Sequence, residues 1–370
     1  MITDRIRRKL LMNNRIKIVY LIRSLKRCGP VNVLFHIVEN LNRSIFDPII
    51  VTFKPEGLDS IICDFQDIDI KVYSERSMID GIKKIRMILN DDPQKLIIHS
   101  HGILPDMVNV LFKRKNVVNI STIHNNPFED YPMTFGKCKG NLLARLHCFL
   151  FRKLIDISCS ESVSMDLKER TNLTPLSIRN GVSFNHAITI NGGLKGEKIN
   201  IVYVGSVSKR KNVDFLIRSV LQIVNYKVTL KVVGDGPEFK ALKEKYRKYP
   251  NIVFTGFKKN TVPFFQKADI VASASRSEGL PMATLEALSF GKPLLLSDIR
   301  SHKEIIHQGS FGELFKNNDT DNFVNSFGNV IKLVNKEKKI YREAKIIFSD
   351  EVMSKKYQEL YVKAIKGNLK

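Results

Sequence analysis

Short apolar runs with hardly a polar interruption recur along this chain, separated by amphipathic stretches almost from end to end. IKIVYLI (16–22), PIIVTF (48–53), KLIIHS (95–100), VVNISTI (117–123) and LIDISCS (154–160) read as strands buried on both faces. Between them, VNVLFHIVENLN (31–42), DGIKKIRMILN (80–90) and SVSMDLKER (162–170) carry the helical period. Strands apolar on both sides leave no face for water, so the sheet they build is parallel and covered by helices above and below. A polar, Gly-rich stretch over 183–198 breaks the rhythm and reads as a linker. The alternation then restarts with INIVYVG (199–205), a helix over 213–224, VTLKVVG (228–234) and a helix from Pro237. It continues with IVFTG (252–256), ADIVASAS (268–275), a helix from Pro281, PLLLSD (293–298) and an amphipathic tail from Asp350. The pattern predicts two doubly wound α/β domains, 1–182 and 199–349, facing a central cleft. The 370 residues fit two domains of ordinary size.

Composition narrows the class. With 43% hydrophobic and 26% charged residues there is ample core, and no apolar run reaches the ~20 residues that span a bilayer. The N-terminus has no separate apolar region with a small-residue cleavage site, so no signal peptide is expected. Cys28, Cys63, Cys138, Cys148 and Cys159 form no C-x-x-C pair and read as reduced thiols of a cytosolic protein. The abnormal quantity is a net charge of +23. Residues 1–30 hold nine Lys/Arg against Asp4 alone, and GKCKGNLLARLHCFLFRKL (136–154) interleaves basic with large apolar residues. That mixture suits an anionic membrane surface, where each basic residue near the headgroups adds about 1 kcal/mol. Solvated surface over a buried helix stripe is the bland reading. Nucleic acid is a third, and no nucleic-acid motif supports it.

In open parallel sheets ligands bind beyond the carboxyl ends of the strands, so the residues that follow each strand are candidates. After 199–204 comes GSVSKRKNVDF, where Gly205 permits a tight exit and Lys209, Arg210 and Lys211 precede a helix near Asn212. Cations beside a helix N-terminus attract phosphate. GDGPEF (234–239) and FTGFKKN (254–260) bring Gly234 and Gly256 to the same edge. In SRSEGLPMATLEALSFGKPLLLSD (275–298), Glu278 and Glu286 flank a Gly279-Leu280-Pro281 turn that opens a helix with Pro281 at its first position. Free backbone N–H groups there form an anion cradle, Gly279 allows close approach, and each carboxylate can accept from sugar hydroxyls. The bland alternative is a cap and a solvated carboxylate. In the first half, Gly29-Pro30 opens a helix after 16–22, and His99, His101 and His124 sit at strand ends. Their spacing fits no zinc pattern, and His124 is the one assigned to the cleft. Asp67-Ile68-Asp69 reads as alternation leading into a strand rather than a cation site.

These segments resemble retaining glycosyltransferases of family 4, which have the GT-B fold. SEGLPMATLEA resembles that family's E-x7-E signature. VGSVSKRKNVDFLI, VVGDGPE, FTGF, SCSESVS…IRNGV and IHSHG follow the family's order and spacing over nearly the whole chain. The resemblance implies two Rossmann-like domains, the first binding acceptor and the second a nucleotide sugar, with the last helix (350–370) packing back on the first domain. It implies Lys211 on the donor diphosphate, Glu286 on the ribose, Glu278 on the donor sugar, the Gly279 and Leu280 amides on the phosphates, and His124 beside the sugar. Ser206 stands where many members carry an arginine for the phosphate, which leaves that task to Arg210 and Lys211. The Gly-Gly loop of many members is CGPVN here, around Gly29, and the HNN after 117–123 also differs from commoner versions.

The expected activity is metal-independent transfer, with retention, from a UDP- or GDP-linked sugar to a lipid-linked or oligosaccharide acceptor in surface polysaccharide synthesis. No cofactor, metal or nucleic acid is expected. The expected place is the cytoplasmic face of the plasma membrane, held peripherally. Two other readings stay open: a GT-B nucleotide-sugar epimerase and a basic nucleic-acid-binding protein.

Overall fold

The computed structural model describes residues 15–91, 94–185 and 198–368. Its first half runs β1 (Ile16–Ile22), α1 (Gly29–Glu39), β2 (Phe46–Thr52), α2 (Ile62–Asp67), β3 (Lys71–Ser74) and α3 (Met78–Asn90). Next come β4 (Leu96–His101), α4 (Ile103–Leu111), β5 (Val117–Ile123), α5 (Pro127–Phe135), α6 (Lys137–Phe151), β6 (Ile155–Ser158), α7 (Glu161–Thr171) and β7 (Leu176–Ser177). The second half runs β8 (Lys198–Val204), α8 (Val213–Val220), β9 (Lys227–Val233), α9 (Phe239–Lys245), β10 (Ile252–Gly256) and α10 (Val262–Lys267). It closes with β11 (Ile270–Ser273), α11 (Met282–Ser289), β12 (Leu294–Ser297), α12 (Arg300–Ile306), β13 (Gly312–Phe315), α13 (Thr320–Val330), α14 (Glu337–Phe348) and α15 (Asp350–Ile365).

The sheets have strand orders β3-β2-β1-β4-β5-β6-β7 and β10-β9-β8-β11-β12-β13, and the paired strands are parallel. Each order reverses once, between β1 and β4 and between β8 and β11. At such a switch the loops leaving the two central strands diverge and open a crevice. The apolar runs that mark the strands are buried, as in Ile18–Leu21, Leu96–Ile98 and Leu294–Leu296.

The two halves share apolar packing. One cluster links Ile18 and Ile22 of β1, Val31 and Leu34 of α1, Met282 and Leu285 of α11, and Met353 and Tyr361 of α15. Helix α15 lies on the first domain: the Ser354 hydroxyl donates to the Ile37 carbonyl at 2.9 Å, and Tyr361 OH meets His99 Nδ1 at 2.7 Å. The chain's crossings near Val182 and Ser349 lie side by side, Val182 N donating to Phe348 O (2.9 Å) and Asp350 N to Val182 O (3.0 Å).

Several boundaries differ from the sequence expectations. The helix expected from Pro237 begins at Phe239, because Gly236-Pro237-Glu238 forms a turn closed by Phe239 N donating to Gly236 O. The helix expected to reach 224 ends at Val220, where bonds spanning three residues tighten the chain from Gln222. Pro281 is the cap before α11 rather than its first residue, with an extended ψ of 118°. Asp67 ends α2 and Asp69 takes φ 57° in a turn, so only Lys71–Ser74 of that stretch is strand. Most of the linker expected over 183–198 and the basic residues Arg5, Arg7, Arg8 and Lys9 lie outside the described residues.

Burial sets the pH response. Burial, with the nearby His124, pulls His99 down to about 3; burial alone pulls His124 to about 4, and burial outweighs Glu278 at His302, also near 4. Burial opposes charge at His36 too, yet the carboxylates of Asp350 (3.1 Å) and Glu39 (3.7 Å) raise it to about 9. A depressed imidazole binds protons more readily when unfolded, so its contribution is lost as pH falls from about 6.5 toward 4; the raised His36 contributes below about 6.5 and is lost as pH rises through 9. Thermal midpoints across pH 4.5–9.5 should therefore peak near neutrality. His36→Asn should flatten only the alkaline limb, and an unchanged alkaline limb would contradict the assignment.

Candidate functional site

The site is built by the loops that leave β8 and β11, the two strands on either side of the second switch point. The first loop turns at Gly205 and delivers Ser206, Arg210 and Lys211 before α8. The second delivers Ser275, Glu278, Gly279 and Leu280 before α11. Gly234 explains how the first loop can sit so close to its neighbour: a Cβ there would lie 1.9 Å from the Gly205 carbonyl oxygen. Its amide also donates to Gly256 O at 3.0 Å, so the ends of β8, β9 and β10 are backbone packed on backbone.

Glu278 is the electrostatic centre, its side chain only 7% exposed. One carboxylate oxygen meets Lys211 Nζ and accepts from Ser275 Oγ at 2.7 Å; the other accepts from Arg210 Nη1 at 2.9 Å. Burial alone would raise this carboxyl, but Lys211 and Arg210 outweigh it and hold it at about 2. Burial in turn lowers Lys211 against the pull of Glu278. Arg210 also donates to Ser277 O at 2.6 Å and faces Asp130 of α5 across the cleft, Nε to Oδ1 3.5 Å. Two cations are thus matched by two carboxylates from different domains. An arriving anion can take over cations already aimed at one point.

The Gly279-Leu280 turn is clamped between the domains. The Gly279 carbonyl accepts from Ser160 Oγ at 3.0 Å and the Leu280 carbonyl from Asn180 Nδ2 at 2.9 Å. A Cβ on Gly279 would stand 2.0 Å from the His124 carbonyl oxygen, so the close approach requires glycine. His124, after β5, shares a 2.8 Å contact from Nε2 to His101 Nδ1, and the rings stack at 5.1 Å. Both imidazoles are kept neutral by burial. Gly29 begins α1 and faces Met282 of α11, a Cβ there reaching Met282 Cγ at 3.8 Å. Ser206 is exposed, its carbonyl accepting from Tyr203 OH at 2.7 Å.

Glu278, Lys211, Arg210, Gly279, Leu280 and His124 therefore meet, with Pro281 capping the helix behind them. Glu286 lies one α11 face away, in a separate cavity with Arg27, His36 and Ser289. Gly234 and Gly256 support the loop from behind. Sequence reasoning singles out neither Asp130, Ser160 nor Asn180, and it notes His101 at a strand end without giving it a role in the cleft. The IHSHG, SCSESVS and IRNGV segments of the family resemblance hold His101, Ser160 and Asn180, whereas Asp130 sits in a helix with no strand-end signal. Among the described residues, His36, Glu39 and Asp350 bring possible metal-ligand atoms within 4.8 Å of one another, away from the strand-end histidines.

Removing one partner of a buried ion pair leaves an uncompensated charge, which costs about 3–5 kcal/mol. Glu278→Gln should therefore lower the urea midpoint by the equivalent of about 3 kcal/mol at neutral pH. A variant as stable as wild type would contradict the ionised pairing.

Residues 187–367 match the family described as "Glycosyl transferases group 1". The chain is 28% identical over 366 residues to the O-antigen biosynthesis glycosyltransferase WclY of Escherichia coli, covering 93% of this chain and 98% of that one. It is 27% identical over 142 residues, 36% of this chain and 37% of the other, to an E. coli UDP-Gal:alpha-D-GlcNAc-diphosphoundecaprenol alpha-1,3-galactosyltransferase. In fold it is similar to Anabaena HepE, solved in complex with UDP and glucose, with TM-score 0.78 at 17% identity over 94% of this chain and 100% of that one. The two sheets and their cleft are the GT-B fold, the second half carries a glycosyltransferase group 1 domain, and the chain is a glycosyltransferase.

Proposed function

We propose that this enzyme transfers a sugar from a UDP- or GDP-linked donor to a lipid-linked or oligosaccharide acceptor in surface polysaccharide assembly, with retention and without a metal. The observation that carries the reading is the convergence of Arg210 and Lys211 on Glu278 at the β8/β11 switch point. Breaking the bond between sugar and diphosphate leaves negative charge on the leaving group. Two fixed cations and the backbone amide at Gly279 supply stabilisation where that charge develops, the Leu280 amide being directed at the Cys159 thiol instead. In this reading the diphosphate displaces the carboxylates from Lys211 and Arg210, and Glu278 is released toward the hydroxyls of the donor sugar. His124 faces the same sugar from the other domain. The acceptor is deprotonated by the leaving phosphate on the same face, so the anomeric configuration is kept.

The acceptor reading rests on two supports. WclY and the galactosyltransferase are named for O-antigen synthesis and for a diphosphoundecaprenol substrate. The second support is the surface of the α5–α6 hairpin, closely packed because Gly140 lies against the backbone of Pro132. It exposes Phe135 (53%), Leu142 (70%) and Phe149 (53%) beside exposed Lys137, Lys139 and Arg145. Apolar side chains ringed by cations suit the anionic inner face of a membrane. Among the described residues no helix is long and apolar enough to cross one.

Two outcomes test the proposal. Transfer from an α-linked donor sugar should give an α-linked product by NMR at a rate unchanged by excess EDTA; inversion, or a requirement for added Mg²⁺ or Mn²⁺, would refute the mechanism. Leu142→Glu with Phe149→Glu should cut sedimentation with phosphatidylglycerol vesicles about tenfold at low salt, and nucleotide binding should persist. Undiminished sedimentation would remove this face as the membrane contact.

A further inference from the structure

Asp130 of α5 is a carboxylate of the first domain set against a cation of the second. Its Oδ1 lies 3.5 Å from Arg210 Nε, while Nη1 of the same guanidinium donates to Glu278 Oε2 at 2.9 Å. One cation thus serves two anions. The Asp130 and Arg210 side chains are 32% and 23% exposed, so water screens their charges only in part. Burial pushes the Asp130 carboxyl up; Arg210 pulls it down, and Glu278 pushes it up again. The position is built into the fold. Asp130 N donates to Asn126 O at 3.0 Å in the first turn of α5, and the next residue is tied to the interior of its domain. Tyr131 OH meets His147 Nδ1 of α6 at 2.6 Å, His147 Nε2 meets Asp106 Oδ2 of α4 at 2.6 Å, and Asp106 Oδ1 accepts from Ser100 Oγ of β4 at 2.5 Å. Asp106 and Ser100 are fully buried. Four elements therefore fix the backbone that carries Asp130 to the cleft wall.

A carboxylate fixed there repels any anion that approaches Arg210. When the bond between sugar and diphosphate breaks, its electron pair stays on a phosphate oxygen. Once the acceptor's proton has passed to water, the product diphosphate carries more negative charge than the sugar-linked donor did. The repulsion therefore falls harder on product than on donor. Resting on the donor reading above, we propose that Asp130 is a product-release residue: it competes with the spent nucleoside diphosphate for Arg210 and retakes the guanidinium as that diphosphate leaves. It acts through Arg210 and touches neither substrate nor reacting atoms, so it is a positioning residue. The effect of such a charge falls mainly on the dissociation rate.

The test is calorimetric titration of UDP, GDP, uridine and guanosine into wild type, Asp130→Asn, Asp130→Ser and Asp130→Glu, with stopped-flow dissociation of the diphosphates. Asp130→Asn should bind the preferred diphosphate about tenfold or more tightly, through slower dissociation, with the nucleosides unchanged. Asp130→Glu keeps the charge and should stay near wild type. Asp130→Ser, also uncharged, should repeat the gain, and it decides the matter if Asp130→Asn is unstable. Unchanged or weaker diphosphate binding in the uncharged variants, a gain shared by the nucleosides, or the same gain in Asp130→Glu would overturn the inference while leaving the donor reading intact. A wild type that binds neither diphosphate would overturn both.

Discussion

The carboxylate of Glu278 is buried, and the structure around it is arranged so that it stays charged. Taking such a group out of water costs several kcal/mol unless cations and hydrogen bonds replace its hydration. Lys211, Arg210 and Ser275 do so together, and their positions depend on features far from the carboxylate. Lys211 and Arg210 are aimed by the turn at Gly205, which packs against Gly234 because Gly234 carries no Cβ. Ser275 is held by its own carbonyl, which accepts from Ser297 Oγ at 2.6 Å and from Asn317 Nδ2 at 2.9 Å. The cluster ties three loops of the second domain to one point.

The same point is where the domains touch. Arg210 reaches Asp130, Ser160 and Asn180 hold the carbonyls after Glu278, and the Gly279 backbone lies against His124. Elsewhere in the seam Glu304 of α12 accepts from the amides of Glu161 and Ser162 at the start of α7 and pairs with Arg179 at 2.8 Å. The Glu278 cluster and the contacts that hold the domains together therefore share residues.

Much of this is legible in the sequence. The strands were visible because a parallel sheet covered on both faces needs apolar runs, and IKIVYLI, VVNISTI and IVFTG coincide with β1, β5 and β10. Glu278, Lys211 and Gly279 were visible because the topology puts the loops after β8 and β11 beside one another. Helix starts were less legible: Pro237 and Pro281 both precede their helices, since proline fits a turn or cap as readily as a first turn. Asp130 is not legible in the sequence, because it owes its place to the approach of one domain to the other, and no local pattern encodes that distance. Glu286 was assigned to the sugar-nucleotide cleft, and only the structure shows that it faces Arg27 and His36.

The central claim is that the loops after β8 and β11 form a site for a nucleoside diphosphate, with Lys211 as its principal cation. It is tested most directly by the affinity of UDP and GDP for wild type and for Lys211→Met, measured on the ligand-free protein at physiological salt. A charge-assisted bond to phosphate is worth about 1.5–3 kcal/mol, so the variant should bind the preferred diphosphate at least about tenfold more weakly and the nucleoside alone unchanged. Equal affinity of the two proteins for the diphosphate would place the donor elsewhere and contradict the account.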